Sequence, residues 1–450
     1  MMKAISLRNS PAIKVSLIVV LIAFALGGVF AQPSDSFYED APEEDLKIIQ
    51  QSFDLTENGK WLSAWKLLAE YDAANEKPFV LAEKIRIALD GYAQTGIHMV
   101  FGFVDLEEGQ DLEVVRYESV ADLEPFEFNP GDLTMALEDK GEAVPPVLSL
   151  LMGEYYHTVW VLYQGQWVQD DTTILSMAAE HYERALAYEV FTAGSLAQYT
   201  EVLMALQRMD AAEVVIIKAL ELDPDNINLT LQLANVYYSS QRNEEVFPLA
   251  DKVIAGATED QLLNDGYIVA IKAGLGLGSE ELLEKYVTGL EESFPLEYLP
   301  GLIRHLVAVR LENVEAADAA ADTVTARFPG NPDVIRSLLS TWLSVQDIES
   351  GFRYLNRSIE VNQGEEALAS LYFYRALLGA EVAETKEALV TALEDVAVAE
   401  GFFKKVYPED HEVFGMIVEI RAQWESALAS FEEMTAEDPD ATSAASDEDW

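Results

Sequence analysis

Cysteine is absent from the 450 residues. That excludes disulfides, thiolate metal sites and a lipid-modified cysteine near the N-terminus. Positive charge is scarce: 29 Lys and Arg stand against 79 Asp and Glu, a net charge of −50. Nucleic acid and anionic lipid surfaces are bound by neutralising phosphates, so so acidic a chain argues against both. It favours cationic partners or high-salt surroundings. Histidine is confined to His98, His157, His181, His305 and His411. No serine lies in a Gly-x-Ser-x-Gly turn and no His-Glu-x-x-His occurs, so the sequence predicts neither an enzyme nor a cofactor site.

Long apolar runs are also missing, with one exception at residues 15–30, preceded by Lys3, Arg8 and Lys14. The run is shorter than the roughly 20 residues that span a bilayer. Val29 and Ala31 supply the small residues of a cleavage site, so residues 1–31 read as a signal peptide cut after Ala31. Cleavage removes three of the 29 basic residues and leaves 26 against 79 acidic ones, net −53. The expected location is the periplasm or the extracellular space. At the other end, residues 432–450 carry acidic and small polar residues with no basic one and read as a disordered tail.

Half of the residues are hydrophobic, enough for a folded core. Their spacing is helical, and pairs of amphipathic helices recur between short punctuations such as "ELDPDN", "SFPLE" and "RFPGNPD". Pro295 and Pro329 are 34 residues apart, as are Pro224 and Thr258. Second helices carry a small–large–small pattern: Ala178, Tyr182 and Ala185 in one unit, Ala212, Ile216 and Ala219 in the next, closed by Pro224. First helices pair a small residue with an aromatic, Gly153 with Tyr156 and Ala234 with Tyr237.

These units resemble the tetratricopeptide repeat, whose length is 34 residues. The resemblance covers residues 146–398, with clean spacing over 193–363. It implies an all-α solenoid of stacked helix pairs. Departures are 13 extra residues between Gly153 and Ala178, three extra in the unit ending at Pro295, and the absence of the family's usual first-helix tryptophan throughout the clean repeats.

The stretch "KAGLGLGSEELLEKY" invites a phosphate-site reading, because glycine-rich turns before helices bind anions. Repeat phase gives another reading. Adding 36 to Tyr238, Ser240 and Arg242 lands on Gly274, Gly276 and Gly278, which places all three in the turn between the helices of a pair, with Ser279 as helix cap. No phosphate-loop Lys-Ser follows and no strand precedes.

Other constellations dissolve on inspection. Glu154 and His157 have the spacing of a di-iron ligand pair, but no second such pair exists, so a packed histidine is expected. "DPDNIN" alternates oxygen side chains but lacks the glycine and glutamate of a calcium loop, and reads as a turn and cap. Asn228 and Asn356 match a glycosylation pattern but fall in expected helices.

Outside the repeats, residues 43–77 read as a helix pair joined by "TENGK", and Pro78 opens a helix to about Thr95. Residues 97–117 predict a β-hairpin turning at "EEGQ", residues 132–140 a helical turn or two, and 97–145 as a whole an insertion. The expected organisation is therefore signal peptide 1–31, N-terminal helical units 32–96, insertion 97–145, solenoid 146–400, capping helix 401–431 and acidic tail 432–450.

The resemblance implies a function without chemistry: holding a protein or peptide on the concave face lined by first helices. The positions expected there are Asn228, Leu231, Asn235 and Tyr238 in one unit, with Glu201, Leu302, Leu306 and Arg336 in others. The family's clamp for a terminal carboxylate is missing, since Leu231 stands four residues before Asn235 where a basic residue is required. A basic or neutral partner is expected rather than an acidic one. The alternative is an exported, transporter-associated binder of small molecules, which an aromatic pocket near Tyr155, Tyr156, Trp160 and Trp167 would favour.

Overall fold

Between the two helices of a repeat the chain reverses through a residue with left-handed backbone angles. In the computed structural model, which describes residues 35–118, 123–383 and 385–437, these residues are Gln207, Gln241, Gly278, Glu312 and Gln346, with φ of 59°, 61°, 64°, 56° and 62°. Each turn closes by the same pair of hydrogen bonds. Gln207 N–H donates to Met204 and Arg208 N–H to Leu203; Gln346 N–H donates to Leu343 and Asp347 N–H to Trp342. That 6→1 bond with a left-handed residue is the Schellman ending of an α-helix.

Contacts divide the described residues into two units, 35–273 and 274–437. The first begins with α1 (Glu43–Glu57) and α2 (Trp61–Tyr71), joined through Gly59 at φ 69°. Then α3 (Pro78–Asp90) follows a turn in which the Asp72 carboxylate accepts from Glu76 and Lys77 N–H, at 3.0 and 3.1 Å. Its residues from Val80 to Leu89 are all buried. Next come β1 (Tyr92–Gly96), β2 (Val100–Phe103), α4 (Leu112–Glu118), β3 (Phe126–Glu127) and α5 (Pro130–Asp139). The strands form one antiparallel sheet in the order β1-β2-β3.

Helix pairs make up the rest of this unit: α6 (Pro146–Tyr163) with α7 (Asp171–Ala187), α8 (Ala193–Ala205) with α9 (Met209–Leu222), and α10 (Ile227–Ser239) with α11 (Asn243–Gly256). α12 (Asp260–Leu277) follows. Crossings use the small residues the repeat pattern predicts. Gly153 on α6 faces the Tyr182 ring on α7 so closely that a Cβ would lie 2.8 Å from it. Ala178, Ala212, Ile216, Ala219 and Ala234 are fully buried. The 13 extra residues after Gly153 lengthen α6 and the loop to α7, which Asp170 caps.

The second unit holds α13 (Glu280–Ser293), α14 (Leu299–Arg310), α15 (Val314–Arg327), α16 (Pro332–Ser344), α17 (Ile348–Val361), α18 (Glu365–Glu381), α19 (Lys386–Val406) and α20 (Glu412–Glu437). Its core is built around Ala321, Val334, Leu338, Trp342, Tyr354 and Leu355. The fold class is thus all-α, built of tetratricopeptide-like helix pairs with a small β insertion.

Several expectations need correction. Only Gly278 of the three glycines sits in the turn; Gly274 and Gly276 lie inside α12. The extra residues of that unit extend its first helix, so Gly278 corresponds to Gln241, 37 residues earlier, and not to Arg242. Ser279 does cap α13, accepting from Leu282 N–H.

The helix from Pro78 stops at Asp90, where Gly91 packs under the Trp61 ring, and the hairpin begins at once with Tyr92. The hairpin turn is Ile97–Met99, not "EEGQ", which instead leads into α4. Neither Ile97 nor His98 is a turn residue by habit, yet both have positive φ, 47° and 49°. Tertiary contacts hold them: the His98 ring bonds the Tyr163 hydroxyl at 2.7 Å, and the Tyr155 hydroxyl donates to the His98 carbonyl at 3.1 Å. The helix expected over 401–431 has other bounds: α19 runs to Val406, and the last described helix, α20, spans Glu412–Glu437. The expected signal peptide and most of the acidic tail lie outside the described residues.

Candidate functional site

First helices α6, α8 and α10 set side by side a row of polar side chains. His157 Nε2 meets Glu201 Oε2 at 2.8 Å, linking α6 to α8. Gln232 on α10 reaches back to α8, donating to the Ala197 carbonyl at 2.9 Å and, more weakly, to Glu201 Oε1 at 3.4 Å. Gln232 Oε1 is buried without a partner. The Glu201 side chain stays 28% exposed, so its carboxylate is a fixed acceptor open to a cationic or N–H group. His157 is a packed histidine beside Trp160, as the sequence suggested.

The expected inner-face residues divide. Asn235 is half-buried and its amide donates to the Leu231 carbonyl of its own helix, 3.1 Å away. Tyr238 is half-buried under the Lys272 amine, 6.0 Å from its ring centre. Asn228 is exposed. Leu231 is a correction: it is fully buried and offers a partner nothing. Leu229, Leu231 and Leu233 alternate, which leaves the phase of α10 ambiguous from sequence. The residue one step on, Gln232, is the one joined to Glu201. Arg336 and Leu302 belong to the second unit, where Arg336 pairs with Asp333 and Leu302 packs on the core.

"DPDNIN" is a turn and cap, Asn226 accepting from Leu229 N–H at 3.2 Å. Asn228 and Asn356 both lie in helices. Tyr155 and Tyr156 are buried in the apolar core.

Sequence reasoning missed the polar interior of the first unit. Glu83 and Arg86, both buried, pair through two bonds of 2.8 and 2.6 Å; Ser52 and Tyr38 donate to the same carboxylate at 2.6 and 3.3 Å. Burial, then the nearby charge of Asp90, pushes Glu154 up to about 8. Burial also raises Asp90 to about 6 and depresses His98 and His181 to about 4. Charged residues inside an otherwise helical pattern carry no sequence mark that separates them from surface residues.

The left-handed turns, the small-residue crossings and the 34-residue spacing define a tetratricopeptide-type repeat scaffold. No family model and no curated protein matches the sequence. Among solved structures, the chain is similar to a tetratricopeptide repeat protein from Parabacteroides merdae at 13% identity and a TM-score of 0.35, over 61% of this chain and 99% of that one. It is similar to yeast Tom70 at 11% identity and a TM-score of 0.33, over 87% and 96%. TTC0263, a TPR protein of Thermus thermophilus, matches at 20% identity and a TM-score of 0.27, over 42% and 99%. The assignment rests on the turns and crossings, not on these low scores.

Proposed function

We propose that the chain is an exported, non-enzymatic scaffold that holds a basic or neutral protein segment on the row formed by α6, α8 and α10. The observation that carries this reading is the Glu201 carboxylate, fixed between His157 and Gln232 yet partly open. Tyr238 supplies aromatic contact and Asn228 a free amide. Export rests on the N-terminal sequence alone, and N-terminal sequencing of the protein from its own host should begin at Gln32; retention of residues 2–14 would favour an anchor.

A peptide array probed with the full chain tests the partner chemistry. Lysine- or arginine-bearing and neutral segments should be enriched. Glu201→Gln should slow association and weaken its salt dependence, and Tyr238→Ala should speed dissociation. Enrichment of strongly acidic segments, or unchanged binding by the double variant, would move the working surface elsewhere. A second reading, small-molecule binding, is favoured by cavities beside the insertion.

A further inference from the structure

Two adjoining cavities open where the insertion meets α2 and α3. The smaller, about 280 Å³, is walled by Trp65, Asp72, Lys84 and Phe126; the larger, about 420 Å³, by Met99, Val100, Asp132 and Leu133. Asn75, Glu127 and Phe128 border both. Together they fall in the range of small-ligand sites, about 300–1,000 Å³.

Hydrogen bonding in the floor is lopsided. Lys84 is 2% exposed and donates to the Asp72 carbonyl at 2.5 Å and to Asn75 Oδ1 at 2.7 Å, which leaves one N–H over. Its nearest approach to the Asp72 carboxylate is 4.0 Å, and both oxygens of that carboxylate already accept from Glu76 and Lys77 N–H. Trp65 is 4% exposed, stacked on Phe103, and its indole N–H is buried without an acceptor. An unmet buried donor costs roughly 1–3 kcal/mol, which an incoming acceptor recovers. The floor therefore lacks an oxygen. Burial lowers the Lys84 amine to about 8, so it is still mostly protonated at neutral pH and can donate.

Charge narrows the class. Asp72, Glu127 and Asp132 outnumber Lys84 around the two cavities, which disfavours an anion. The unmet groups of the floor, the third N–H of Lys84 and the Trp65 indole N–H, are both donors, and an ammonium group has no acceptor to give them. Phe126 and Phe128 line the smaller cavity beside Trp65, an aromatic wall that suits a flat body. We infer that this site binds a small, flat, uncharged ligand whose carbonyl oxygen accepts from Lys84 and from the Trp65 indole N–H.

Three probes of one shape test it on the full chain: benzamide, benzoate and benzylamine. Benzamide should bind tightest and move the Trp65 indole N–H resonance, identified by its absence in Trp65→Phe. Trp65→Phe and Lys84→Met should each weaken benzamide about tenfold, equivalent to about 1.4 kcal/mol. Benzoate or benzylamine leading the series, no binding by any probe, or benzamide binding that leaves the Trp65 resonance in place would each overturn the inference. The ranking is read on the wild type, so it survives a variant that fails to fold. Peptide binding to the α6–α10 row should be unaffected by Trp65→Phe, which keeps failure here distinct from failure of the scaffold reading.

Discussion

Helix α3 and the pair α9–α10 pack into the same unit with opposite materials. α9 and α10 are buried through alanine and aliphatic residues, with Ala212, Ile216, Ala219 and Ala234 fully buried, and charge stays outside, as where Glu213 of α9 pairs with Arg242 in the turn after α10. α3 instead carries Glu83, Lys84 and Arg86 into the interior. A repeat can reuse one apolar crossing because each unit meets only its neighbours. The start of the array has an irregular insertion to accommodate, and there specific hydrogen bonds and ion pairs fix the arrangement.

The sharpest test of that contrast is Glu83→Gln. It leaves the Arg86 charge buried with only Asp90 near, at 3.8 Å, and should cost about 3–5 kcal/mol in denaturant unfolding. Arg242→Met, in the repeats, should cost about 1 kcal/mol or less, since its ion pairs are partly exposed. Equal losses would abolish the distinction.

Next in size is a pH effect confined to the first unit. Glu154 ionises near 4.5 when unfolded and about 8 when folded, so its neutral form favours the folded state at low pH and that contribution is lost as pH rises towards 8. Asp90 acts in the same direction but is finished by about 6. His98 and His181, depressed from 6.5 to about 4, act oppositely, adding stability as pH rises to about 6.5. Between about pH 6.5 and 8 Glu154 therefore dominates these four groups. The melting temperature should fall across that window, and Glu154→Gln should flatten the fall, as calorimetry over a pH series would show.

Gly153→Ala probes the apolar crossing itself. The new methyl would lie 2.8–2.9 Å from the Tyr182 ring, which is held by stacking on Tyr199 and by its bond to Gln198. Overpacking of this kind costs about 1–3 kcal/mol; an unchanged unfolding midpoint would mean the crossing is looser than described. The smallest effects come from Gly276 inside α12 and Gly278 in the turn after it. Gly278→Ala, at φ 64°, should destabilise by about 1 kcal/mol, whereas Gly276→Ala, inside the helix, should stabilise by about 0.5–1 kcal/mol. Matching signs would contradict the placement of the turn.

Legibility follows the same division. The pairing of helices, the crossings at Ala178–Tyr182–Ala185 and the caps at Asn226 and Ser279 could be read because they depend on neighbours within one repeat. A hairpin in the insertion was legible but its turn was not, because Ile97 and His98 keep positive φ through contacts with Tyr155 and Tyr163, distant in sequence. The row on the first helices was half legible. Glu201 and Tyr238 keep part of their surface open, while Leu231 is buried and its neighbour Gln232 was passed over because three alternating leucines hide the helical phase. The cavity of Lys84 and Trp65 was invisible, since it forms only when the insertion covers α2 and α3.

The recurring left-handed turn has a consequence for how such a chain can change length. Glu312 and Gln346 occupy the same place in successive units of the second unit of the fold, 34 residues apart, with the same backbone angles and the same closing bonds. A chain cut at one and rejoined at the other drops one whole period while each surviving turn keeps its local geometry. Growth by copying the segment works the same way in reverse. α12 shows a finer step, lengthened by close to one helical turn, so that the residues beyond the extension still face nearly the same way. Turns of this kind act as splice points, and the array can be shortened, extended or re-spaced without redesigning its joints.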